Sequence, residues 1–100
     1  FTVTLSSLKF YIDGTPTKSL NLKKGYTYYF HLSDSSTNIH PFFIGTSSGG
    51  GNYNSEYTSG VTNSRTTTGT LTFVVPSDSP TILYYNCGNH SGMGGTITVQ

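Results

Sequence analysis

The segment Cys87-Gly88-Asn89-His90-Ser91-Gly92-Met93 holds the chain's only cysteine, its only methionine and one of its three histidines. The sulfur and imidazole side chains fall at i, i+3 and i+6, directly after the apolar run Ile82-Leu83-Tyr84-Tyr85. Gly88 and Gly92 leave room for tight turns, so one loop can wrap three side chains around a point. A lone strand cysteine ordinarily reads as a small buried hydrophobe; its company here points elsewhere. A thiolate, two imidazoles and a weak thioether form the trigonal set that copper electron-transfer centres use. The second imidazole has to come from outside the loop. His40, at the start of the short apolar run Phe42-Phe43-Ile44, is the candidate. His31 shares parity with Thr27 and Tyr29 and reads as a surface residue in mid-strand. Zinc accepts cysteine and histidine, but a catalytic zinc site keeps a position open for water, and zinc has no need of Met93.

Such a site needs a scaffold that brings His40 to the Cys87 loop. Phe1, Val3 and Leu5 alternate with threonines as a half-buried first strand. Leu8, Phe10 and Ile12 predict a second, ending at the turn pair Asp13-Gly14. Leu20 and Leu22 point one way and Asn21 the other. Lys23-Lys24-Gly25 makes a charged turn. From Tyr26 to Leu32 the pattern predicts a strand with Tyr26, Tyr28, Phe30 and Leu32 facing the core. Ser33 to Asn38 is a polar loop, and Pro41 puts His40 at a strand start or edge. Residues 46–69 read as a flexible crossover, anchored by Tyr53, Tyr57 and Val61 and carrying a short strand or turn of its own. Leu71, Phe73 and Val75, then Leu83, Tyr85 and Cys87, then Ile97 and Val99, predict three closing strands. The expectation is an all-β fold, a Greek-key sandwich of seven to eight strands.

Composition agrees and sets limits. One hundred residues suffice for a single domain with one modest core. Threonine, valine, tyrosine and phenylalanine abound, alanine is absent, and turn formers are frequent. A formal net charge of +1 with 9% charged residues gives no reason to expect nucleic acid or an anionic membrane as partner. No apolar run is long enough to span a bilayer. One cysteine cannot form an intramolecular disulfide. The hydroxyl-rich surface and the start at Phe1 suggest an exported protein (periplasmic, extracellular or surface), either mature or one module of a longer chain.

These residues together resemble the cupredoxins, the small blue copper proteins that include plastocyanin, pseudoazurin and amicyanin. The resemblance covers nearly the whole chain. It rests on Pro16 to Leu32 as the early strand pair, on His40, and on Tyr85-x-Cys87-x-x-His90-x-x-Met93. The spacing from cysteine to histidine to methionine is similar to that of amicyanin. The resemblance implies one copper ion held by His40, Cys87 and His90, with Met93 as axial ligand. Two positions depart from the family pattern. Pro41 stands where an asparagine often ties the two ligand loops, which implies an altered hydrogen-bond environment at the sulfur. Asn86 stands where plastocyanin carries an exposed tyrosine. The acids Asp13, Asp34, Glu56 and Asp78 are scattered, so electrons are expected to pass at the exposed edge of His90, near Pro41, Gly92 and Met93. Asn89-His90-Ser91 matches a glycosylation sequon and is read as coincidence, since its middle residue is the expected ligand.

The function expected is one-electron transfer with an unspecified redox partner protein, not enzymatic catalysis. The alternative is a copper-stapled structural or binding module of a larger extracellular, surface or virion protein.

Overall fold

Along most of the chain, alternation of residue type becomes alternation of burial, because successive side chains of a strand point to opposite faces. The computed structural model describes residues 1–100. Ten strands follow in order: β1 Val3–Ser6, β2 Lys9–Ile12, β3 Thr15–Pro16, β4 Leu20–Leu22, β5 Thr27–His31, β6 Phe42–Gly45, β7 Val61–Thr62, β8 Thr70–Val74, β9 Ile82–Cys87 and β10 Gly95–Val99. The fold is all-β, with one short 3-10 turn at Ser35–Thr37. The count exceeds the seven or eight strands expected because two-residue ladders form at Thr15–Pro16 and Val61–Thr62. No helix is long and apolar enough to cross a membrane.

The strands make three sheets, ordered β1-β2-β3, β4-β10-β9-β6 and β5-β8-β7. All strand pairs are antiparallel except β10 with β4. The three sheets share one cluster of 18 buried residues. Phe42 sits at its aromatic centre, with ring centroids 5.1 Å from Phe10, 5.3 Å from Phe30 and 5.6 Å from Tyr85. Tyr85 is fully buried and donates its hydroxyl proton to the Lys18 carbonyl at 2.7 Å, so burying its polar end leaves no orphan.

Two residues expected in the core lie outside it. Leu8 is 57% exposed and Tyr26 59%. Ser7 and Leu8 both have positive φ, 50° and 57°, and connect β1 to β2, where Ser6 pairs with Lys9. A two-residue hairpin of this hand matches the strand twist but strains residues that carry a Cβ. Tyr26 closes the turn that begins at Lys23, donating its N–H to the Lys23 carbonyl. In both cases the period-2 pattern continues one step into a turn. Replacing Ser7-Leu8 by Asn-Gly should raise stability by about 1 kcal/mol, measured by urea unfolding. An unchanged or lowered midpoint would count against this turn.

The crossover from β6 to β8 covers the open edge of β6. Phe42 exchanges backbone hydrogen bonds with Arg65 and Thr66, Tyr57 donates to Ile44, and Thr46 donates to Ser55. Covering an edge in this way removes a template for intermolecular pairing. Tyr57 packs edge-on against Phe73 and Val61 joins the core, as the sequence suggested. An ion pair holds the crossover together: Arg65 donates to both carboxylate oxygens of Glu56, at 2.7 and 3.2 Å, and Ser64 adds a third bond at 2.7 Å. The Arg65 hydrogen bonds, chiefly, pull the Glu56 carboxyl below its ordinary range. A carboxyl depressed in the folded state stabilises above its unfolded pKa of about 4.3 and loses that stabilisation as pH falls through the lower folded value. Glu56→Gln should therefore destabilise at pH 7 by about 1–2 kcal/mol. The variant and wild type should converge as pH drops below 4. Parallel curves from pH 7 to pH 3 would exclude the linkage.

Candidate metal centre

His40 and Cys87 lie 47 residues apart in sequence, and the β6–β9 ladder brings them together. Phe42 pairs with Cys87 across that ladder, so His40, two residues before Phe42, arrives beside the end of β9. The donor loop follows immediately and returns into β10.

Cys87 Sγ lies 3.8 Å from His40 Nδ1 and 3.8 Å from His90 Nδ1. The donor atoms of His40, Cys87 and His90 all fall within 4.8 Å of one another, a group that can hold a metal ion. Metal–sulfur and metal–nitrogen bonds run about 2.3 and about 2.05 Å; with those lengths a trigonal angle gives an edge of about 3.8 Å and a tetrahedral one about 3.6 Å. The donors present therefore fit a metal ion. Cys87 is fully buried, His40 is 8% exposed, and His90 is the least buried of the three. Burial, with a smaller contribution from neighbouring His90, holds the His40 imidazole below its ordinary pKa. The shift favours the neutral form, the one that can ligate. Met93 is 1% exposed and belongs to the same core cluster as Cys87. His31 is exposed, with Nδ1 2.9 Å from Thr70 Oγ1, and takes no part.

The segment carrying His40 is positioned from both sides. Asp34 accepts from the Ser36 N–H at 2.8 Å and starts the 3-10 turn. Buried Thr37 places its hydroxyl 2.9 and 2.8 Å from the carbonyls of Asp34 and Thr67, and its own carbonyl accepts from the His40 N–H at 3.0 Å. Ile39 has φ +65°, a left-handed conformation that a β-branched residue adopts only under constraint. The constraint is visible: Asn89 donates its side-chain N–H to the Ile39 carbonyl at 2.8 Å. On the other side of His40, the Gly88 N–H donates to the Pro41 carbonyl at 2.9 Å. Pro41 removes a donor but keeps an acceptor, and the two ligand segments are tied through that acceptor and through Asn89.

Asn89, Gly88 and Asn86 are the contributors that sequence patterning did not single out for this task. Asn89 was visible only as a sequon, yet its amide is engaged in the tie. Asn86 is 2% exposed and donates to the Ser47 carbonyl at 3.1 Å. It is a buried fastening, not a surface contact. The β1–β2 hairpin grips the far end of the donor loop: the Phe10 N–H donates to the Met93 carbonyl and Lys9 Nζ to the Gly92 carbonyl, each at 2.9 Å.

Compared with protein-family models, curated proteins and solved structures, the chain gives no match in any of the three.

Proposed function

We propose that this protein is a cupredoxin-like carrier that binds one copper ion through His40, Cys87 and His90, with Met93 as a weak fourth ligand, and exchanges single electrons. The observation that carries the reading is the buried donor triangle with two 3.8 Å sulfur–nitrogen edges. A thiolate with two imidazoles in trigonal array suits copper, and a thioether within the same cluster suits it further. When bound, copper supplies a reversible one-electron couple; the chain's residues hold the donors and shield them. Cys87 and His40 exclude water, Thr37 and Asn89 orient the His40 segment, and His90 leaves the site its most open side.

The chain alternates between sheets: β4 and β5 lie in different ones, as do β6 and β7, and β8 and β9. This crossing, over one shared core, supports a Greek-key sandwich. The hydroxyl-rich, weakly charged surface supports an exported setting.

The test is to add Cu(II) to the full chain and record its visible spectrum and its reduction by ascorbate. An intense thiolate-to-copper band that bleaches and returns reversibly is expected. Stoichiometric copper without that band would overturn the assignment. A band that cannot be cycled, with a large gain in melting temperature, would favour the staple.

A further inference from the structure

The tract Ser47-Ser48-Gly49-Gly50-Gly51-Asn52 has the composition of a slack connection, yet it is fastened to the donor loop. We propose that Gly49–Tyr53 is a positioning element for the Cys87–Met93 loop, with Tyr53 its principal side chain, and that it holds the donors in place before any metal arrives. The consequence rests on the metal reading above, but the evidence for positioning does not.

Two backbone bonds bracket the loop. The Gly51 N–H donates to the Cys87 carbonyl and the Gly92 N–H to the Gly49 carbonyl, each at 2.9 Å. Between them Gly50 pairs antiparallel with Ser91. A Cβ at Gly50 would lie 2.4 Å from the Cys87 carbonyl oxygen and 2.8 Å from that of His90, and its φ is +86°. Only glycine allows so close an approach. The tract thus extends the loop into a short ladder, fixing it at both ends of the stretch that carries His90.

Tyr53 closes the other side. A Cβ at Gly88 would overlap the Tyr53 phenol oxygen and the ring carbons next to it, so the hydroxyl end of the ring lies against Gly88, next to the thiol-bearing residue. The ring itself is clamped. Phe43 packs against it at 4.9 Å, and the Arg65 guanidinium lies 3.7 Å from its centroid, a cation–π contact. Arg65 is in turn held by Glu56 and Ser64 through the bonds described above. Tyr57, four residues on, has similar partial exposure but packs on Phe73, away from the loop. It provides the internal comparison.

The experiment follows the rate at which a small aromatic disulfide labels Cys87 in the metal-free full chain under native conditions. Urea unfolding of each variant supplies its global stability. Tyr53→Leu should accelerate labelling by about tenfold or more beyond its global destabilisation, because the loop opens locally. Tyr57→Leu should accelerate it only in proportion to global stability. Tyr53→Phe should accelerate labelling less than Tyr53→Leu, since it loses the phenol oxygen but keeps the ring carbons that lie beside Gly88. Amide exchange at Gly51, Gly88 and Gly92 should quicken in Tyr53→Leu and not in Tyr57→Leu. If both leucine variants label in the same proportion to their global stability, Tyr53 is ordinary packing and the proposal fails. Gly50→Ala should act like Tyr53→Leu, and the tyrosine pair decides the matter even if that variant does not fold. In copper-loaded protein, Tyr53→Leu should broaden the charge-transfer band. A wild type that takes up no copper would overturn the metal reading and leave the labelling result standing.

Discussion

Phe42→Ala should lower stability by about 3–5 kcal/mol, the usual range for emptying a buried phenylalanine site. For a chain of this size that corresponds to a fall in melting temperature of roughly 12–40 °C. The expectation is at the upper end because Phe42 has no exposed surface and meets Phe10, Phe30 and Tyr85, contributed by β2, β5 and β9. Three sheets therefore lose a shared contact, and backbone ladders limit how far the cavity can collapse. Phe42 is also the cross-strand partner of Cys87, so the donor triangle should loosen with the core. Thermal and urea unfolding of the metal-free protein measure the effect. A loss below about 1 kcal/mol, typical of an ordinary substitution, would mean that the centre of the core lies elsewhere.

Cys87→Ser should have its largest effect on metal binding, not on folding. The substitution removes the one anionic donor of the proposed set, leaving neutral imidazoles and a thioether. Cys87 is fully buried and His40 nearly so, where an uncompensated cation is costly. Altering residues that merely orient ligands typically costs about 10–100-fold in metal affinity, so losing the thiolate should cost more than about 100-fold. Copper titration in competition with a chelator reads this directly, and the visible band should vanish. Affinity within tenfold of wild type would remove Cys87 from the site.

Much of the architecture is legible in the sequence where burial and alternation coincide. Leu71 and Phe73 in β8 with Val75 just beyond it, and Leu83, Tyr85 and Cys87 in β9, have the predicted inward parity. So do Leu20 and Leu22 in β4 and Ile97 and Val99 in β10. Leu8 and Tyr26 escape because alternation carries no information about where the backbone turns. The Ser7-Leu8 pair lacks the glycine or asparagine that usually marks such a hairpin. At the candidate metal centre, residue chemistry was enough to associate His40 with Cys87 and His90. The fastenings were not legible, since Asn89 to Ile39 and Gly51 to Cys87 join segments that nothing local relates. The glycine tract misleads for a physical reason: the same absence of Cβ that makes a chain flexible also permits the closest backbone approach.

The 47-residue interval between His40 and Cys87 also gives the site an order of assembly. Cys87, His90 and Met93 are neighbours in the unfolded chain and can meet by closing a very short loop, which costs little entropy and takes well under a microsecond. His40 joins them only when β6 registers against β9, a long-range pairing of the kind that makes β folds slow. Metal offered during refolding should therefore meet a partial set of the proposed donors first. The second imidazole would arrive as the sheet zips, so the last donor to be gained would also be the one whose departure reports that the fold has opened.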